Sequence, residues 1–146
     1  MYVISKCLLG HNCKYDGGNN KNEEVIEFCR THSYIAVCPE TAGGLPAPRP
    51  AAEIRGECVI DREGRDLTHN FREGAYTCFL ACLQEAVARG ELIEGAILKA
   101  NSPSCGYGEI YDGTFSGKLK EGNGIFAQIL ENDKIRIITE KEKIEW

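Results

Sequence analysis

"HNFREGAYTCFLACLQEAVARGELIEGAILKA" (residues 69–100) decides the fold. Its first part, 69–90, places Phe71, Ala75, Cys78, Phe79, Cys82, Ala86 and Arg89 at helical spacing, and Gly90 supplies a C-terminal stop. After a four-residue link comes "GAILKA" (95–100), a short apolar run bounded by turn residues, which predicts a buried strand. A long helix feeding a strand with no polar face is half of a βαβ unit.

The same alternation extends outward in both directions. "YVIS" (2–5) and "YIAVC" (34–38) predict buried strands. Between them "NEEVIEFCRTH" (22–32) has Asn22 as N-cap, Glu23 and Glu24 in the first turn, and Val25, Ile26, Phe28 and Cys29 on an apolar face. Toward the C-terminus, "GIFAQILEN" (124–132) predicts a helix and "KIRIITE" (134–140) a fourth strand. The expected fold class is α/β: a single domain over 1–146 with a mainly parallel sheet and flanking helices. It would be a Rossmann-like or flavodoxin-like three-layer arrangement, with a strand order such as 2-1-3-4. "ECVI" and "RDLT" around "DREG" predict a small β-hairpin. The segment 39–56, which holds four of the five prolines, reads as a long irregular loop, and such loops are usually functional.

Composition narrows the function classes. Net charge is −5, a poor basis for generic nucleic-acid binding, which depends on phosphate neutralisation. Lys6, Lys14, Arg49, Arg55 and Lys99 could still hold one small anion. No apolar run approaches a membrane span, and "MYVISKCLLG" lacks the basic and small-residue flanks of a signal peptide. A cytoplasmic location is expected, so the eight cysteines are expected to be reduced.

Three of those cysteines stand at strand ends: Cys7 after the first, Cys38 closing the second, Cys105 a few residues beyond the third. In a parallel sheet all strand C-termini reach one edge, where ligand crevices form. The fold alone would therefore bring the three thiols together. Zinc is one candidate ligand, although no C-x-x-C pair occurs in the chain. An iron–sulfur cluster held by three cysteines, with one metal position open, is another. Cys29, Cys78 and Cys82 read as core residues and Cys58 as structural. Cys13 is ambiguous, a spare thiol near the proposed site. The missing C-x-x-C also counts against a thiol redox protein.

The motifs "SKCLLGHNCKYDGG", "CPETAGGLPAPRPAAEI" and "KANSPSCGYGEIYDGTFSG" resemble the DUF523 family, which includes short thiouracil desulfidases. The resemblance runs over nearly the whole chain with the motifs in order. It implies a [4Fe-4S] cluster held by Cys7, Cys38 and Cys105, with the fourth iron free to accept the sulfur of a thiouracil, thiouridine or thionucleotide. Water would replace that sulfur without redox change. It also implies Glu40 and Ser102 as the catalytic polar pair, with Ser104 as the rival hydroxyl. Arg49 is the candidate for an anionic substrate group, and Asp16 for shaping the loop around Cys7. Relatives acting on tRNA carry an additional domain, so a small thionucleobase or thionucleotide is the expected partner. The competing reading is a non-catalytic metal- or cluster-binding module.

Overall fold

The computed structural model describes residues 1–146. A four-stranded parallel sheet forms its centre: β1 (Tyr2–Ser5), β2 (Tyr34–Val37), β5 (Gly95–Leu98) and β8 (Ile137–Thr139), in the order β2-β1-β5-β8. Counting only these strands, the order is 2-1-3-4, as expected, and follows the start of the flavodoxin-like order.

Strand geometry explains the three layers. Successive side chains point to opposite faces, and here both faces are covered. Val3, Val37, Ala96, Leu98 and Ile137 face one apolar cluster, completed by Ala75, Cys78 and Cys82 of α3 (Thr68–Arg89) and Phe126, Ala127 and Leu130 of α4 (Ile125–Asn132). Tyr2, Ile4, Ile97 and Ile138 face the other, with Leu8 and with Val25 of α1 (Glu23–Thr31). Phe126 is fully buried, and burying such a ring stabilises the fold by about 2–3 kcal/mol relative to exposing it. The local signals hold as well. Asn22 Oδ1 accepts from the Val25 amide over 3.1 Å, and Gly90 ends α3 in a left-handed conformation with φ 66°.

The segment after β2 is more ordered than expected. It contains α2 (Pro39–Ala42) and β3 (Ala52–Arg55). The expected hairpin is present, but β4 (Cys58–Asp61) pairs along its length with β3 upstream. The anticipated partner, 65–68, contributes a bridge from Asp66 to Ile60 and a few hydrogen bonds. The difference arises because Gly56 and Glu57 already make a tight turn between "AEIR" and "CVID". A second hairpin, β6 (Glu109–Tyr111) with β7 (Leu119–Glu121), was not anticipated. Ile54, Val59, Phe71 and Ile110 join both hairpins to α3 in a third apolar cluster.

Candidate active site

Cys7 lies in a 3-10 turn (Lys6–Leu9) directly after β1. Cys38 is the N-cap residue of α2, directly after β2. Cys105 lies in the turn beyond β5. All three border one cavity of about 430 Å³ at the C-terminal edge of the sheet. The topology thus brings together residues from three distant segments.

Local packing fixes each turn. The Cys105 amide donates to Ser102 Oγ over 2.7 Å. The first amides of α4, which have no partner within their own helix, close the turn from the other side. Ile125 N–H donates to the Pro103 carbonyl and Phe126 N–H to the Ser104 carbonyl, each over 2.9 Å. Helix α2 is seated on α3 through Gly74, where an added Cβ would lie 1.8 Å from the Pro39 carbonyl oxygen. Only glycine permits that backbone approach.

Each thiol has a polar neighbour. Asn20 Nδ2 donates to Cys7 Sγ over 3.4 Å and Thr41 Oγ1 to Cys38 Sγ over 3.2 Å, while Ser104 Oγ lies 3.8 Å from Cys105 Sγ. Burial pushes the Cys7 and Cys105 thiols above the ordinary range. Cys38 moves the other way: the adjacent Cys13 thiol, against the opposing effect of burial, and then Thr41 hold it low.

Glu40, in the first turn of α2, meets Arg49 and Ser104 at separate oxygens. Arg49 Nη2 lies 3.1 Å from Oε1 and Nε 3.2 Å, while Ser104 Oγ donates to Oε2 over 2.7 Å. Burial raises the carboxyl above its usual range, partly countered by Arg49 and then Ser104. Arg49 is itself nearly fully buried. It also donates to the Pro46 and Cys13 carbonyls, each over 2.9 Å, and so ties the Cys13 loop to the proline-rich segment.

Cys7, Cys38, Cys105, Glu40, Arg49, Ser102 and Ser104 all border the cavity, whereas Asp16 does not. Asp16 accepts from the Gly18 amide over 2.9 Å and pairs with Lys14, forming a half-exposed turn beside a shallow groove. Arg49 has its guanidinium committed to Glu40 and two carbonyls. Cys13 is the fourth thiol on the cavity wall. Cys78 and Cys82 are core residues, Cys29 is half-buried, and Cys58 is exposed on β4. Sequence reading missed Asn20, Glu53, Arg62 and Phe115 as lining residues. No residue-type signal singles out the first three, and Phe115 was visible only as part of "YDGTFSG".

No three Cys, His, Asp or Glu side chains converge closely enough to hold a single metal ion. The three strand-end thiols instead border a shared space. That suits a cluster, in which each thiolate binds a separate iron. The lining also leans cationic, with Lys6, Lys14, Arg49, Arg62 and Lys99 against Glu40 and Glu53. In an acidic chain this is a local reversal of charge.

The family model for 2-thiouracil desulfurase matches residues 2–142. The chain belongs to the 2-thiouracil desulfurase family. The DUF523 resemblance carried by its three motifs is therefore borne out. A 2-thiouracil desulfurase family relationship also fits two similar proteins. The uncharacterized protein YbbK of Bacillus subtilis (strain 168) is 37% identical over 97% of each chain. The solved structure of the [4Fe-4S]-dependent thiouracil desulfidase TudS is 38% identical, with a TM-score of 0.82 over 96% of this chain and 90% of the other.

Proposed function

We propose that this desulfurase-family protein uses a [4Fe-4S] cluster held by Cys7, Cys38 and Cys105 to convert a thiolated pyrimidine to its oxo form. The observation that carries the reading is that three strand-end thiols and the Glu40–Ser104 pair line one cavity. In the overall reaction a C=S bond breaks, a C=O bond forms with oxygen from water, and sulfur leaves as sulfide. No oxidant or reductant is consumed. When bound, the cluster supplies a thiophilic Lewis-acidic iron that the protein leaves unligated.

The chain's own residues manage water and protons. Glu40 Oε2 takes the proton of the attacking water, directly or through the Ser104 hydroxyl. The raised carboxyl range suits a group that must both accept and return a proton. Arg49, engaged at Oε1, keeps the carboxylate oriented and leaves Oε2 for this work. Ser102, 3.4 Å from Ser104 Oγ, extends the hydroxyl chain and holds the Cys105 turn. A free thiobase, nucleoside or nucleotide is the substrate class.

The test is anaerobic reconstitution with iron and sulfide, followed by incubation with 2-thiouracil. Uracil and sulfide should appear in equal amounts. A fully loaded protein that leaves thiouracil intact would remove the enzymatic reading and leave a cluster-binding module.

A further inference from the structure

The cysteines and Glu40 border the cavity, and neither offers a surface for the flat face of a pyrimidine. Another part of the wall is aromatic. Tyr111 and Phe115, from β6 and the loop that follows it, border the same space. Phe115 has φ 56°, a left-handed conformation that bulky residues rarely adopt. Its ring belongs to none of the three apolar clusters, so core packing does not explain that conformation.

The strained backbone is tied down by two residues of β3. Glu53, only 8% exposed, accepts at Oε1 from the Gly113 amide over 3.0 Å and from the Phe115 amide over 3.1 Å. Arg55 donates from Nε and Nη2 to the Gly113 carbonyl, over 3.2 and 2.9 Å. Beside the ring, the Arg62 guanidinium carbon lies 5.2 Å from the Phe115 centroid and also borders the cavity. The loop is thus built to present one aromatic ring to an interior space.

We propose that Phe115 is the platform on which the planar ring of the substrate stacks, and that Glu53 is the residue that positions it. The inference rests on the desulfidase reading for the identity of the ring. Every pyrimidine has a π-face, so the platform grips free base and nucleotide alike, while the thiol side selects the sulfur.

The test uses cluster-loaded protein, with 2-thiouracil as substrate and uracil as an unreactive probe followed by calorimetry. Base–aromatic stacking energies predict that Phe115→Ala raises KM and the uracil Kd roughly 5- to 100-fold while kcat stays within about threefold. Phe115→Trp should restore both constants, and Phe115→Leu, apolar but not planar, should not. Glu53→Ala should reproduce the Phe115→Ala pattern, and Glu53→Gln, which keeps a carbonyl acceptor, should rescue it. Unchanged KM and Kd in Phe115→Ala, or full rescue by leucine, would overturn the platform and leave the desulfidase reading standing. Uracil binding that depends on Phe115 without sulfide release would support the platform and remove the enzymatic reading. A wild-type protein that binds neither pyrimidine would overturn the platform.

Discussion

Ser104 Oγ donates to Glu40 Oε2 over 2.7 Å although 64 positions separate them in the chain. Ser102 reaches the carboxylate only through Ser104. In loaded protein, Glu40→Ala should lower kcat by about 10²–10⁴, the usual worth of a positioned acid–base group, with iron content unchanged. Ser104→Ala should cost more activity than Ser102→Ala. Sulfide release at saturating thiouracil checks the ranking, and a greater loss in Ser102→Ala would move the role to that hydroxyl.

Cys7→Ser, Cys38→Ser and Cys105→Ser should each lose iron on anaerobic reconstitution. Cys13→Ser should keep it, although its thiol lines the same cavity. Iron and sulfide per chain measure both outcomes. Equal iron loss in Cys13→Ser would add a fourth ligand and close the open position.

Arg49→Ala removes the partner of a largely buried carboxylate together with two hydrogen bonds to carbonyls. Breaking a buried pair from one side costs about 3–5 kcal/mol. Urea unfolding of the protein should show a loss of that order. Glu40→Gln combined with Arg49→Met, which removes both charges, should recover part of it.

Gly74→Ala should push α2 off α3, because its Cβ would overlap the Pro39 carbonyl. Overpacking of this kind costs about 1–3 kcal/mol. Since α2 carries Glu40 and begins at Cys38, cluster retention should fall along with the melting temperature. A variant that melts like wild type would mean that the two helices part without cost.

Asp61, the last residue of β4, tests the pH dependence of stability. Burial alone would raise its carboxyl, but the Arg65 amide and guanidinium, then the Glu63 amide, outweigh it and hold the group below the ordinary aspartate range. A lowered value stabilises the fold above the unfolded-state pKa of about 4, and the contribution is lost as pH falls through the native value. Thermal melts from neutral to acid pH should therefore drop more steeply for wild type than for Asp61→Asn. Parallel curves would show that the carboxylate contributes nothing.

The parallel sheet was legible because its central strands β1 and β5 are buried on both faces and read as the unbroken apolar runs "YVIS" and "GAIL", although Tyr34 of edge strand β2 is exposed. The convergence of Cys7, Cys38 and Cys105 followed from topology without any local spacing rule. What escaped was short or tertiary. Helix α2 is four residues long, and β6 and β7 are three each, with Glu109 and Tyr111 exposed around buried Ile110. Such segments carry too few residues for a periodic signal. Asn20 reaches Cys7 across a loop, and Glu53 reaches Phe115 from another hairpin. Which of Ser102 and Ser104 hydrogen-bonds Glu40 directly is likewise a matter of packing rather than sequence.

The spread of the three thiols along the polypeptide has a consequence for biogenesis. Cys7 and Cys38 can be synthesised and folded early, but their companion follows the third sheet strand, beyond the 22 residues of α3. A nascent chain on the ribosome can offer two sulfurs and no complete receptacle. On the ligand set proposed above, iron can be held only after Cys105 has emerged, behind α3 and β5.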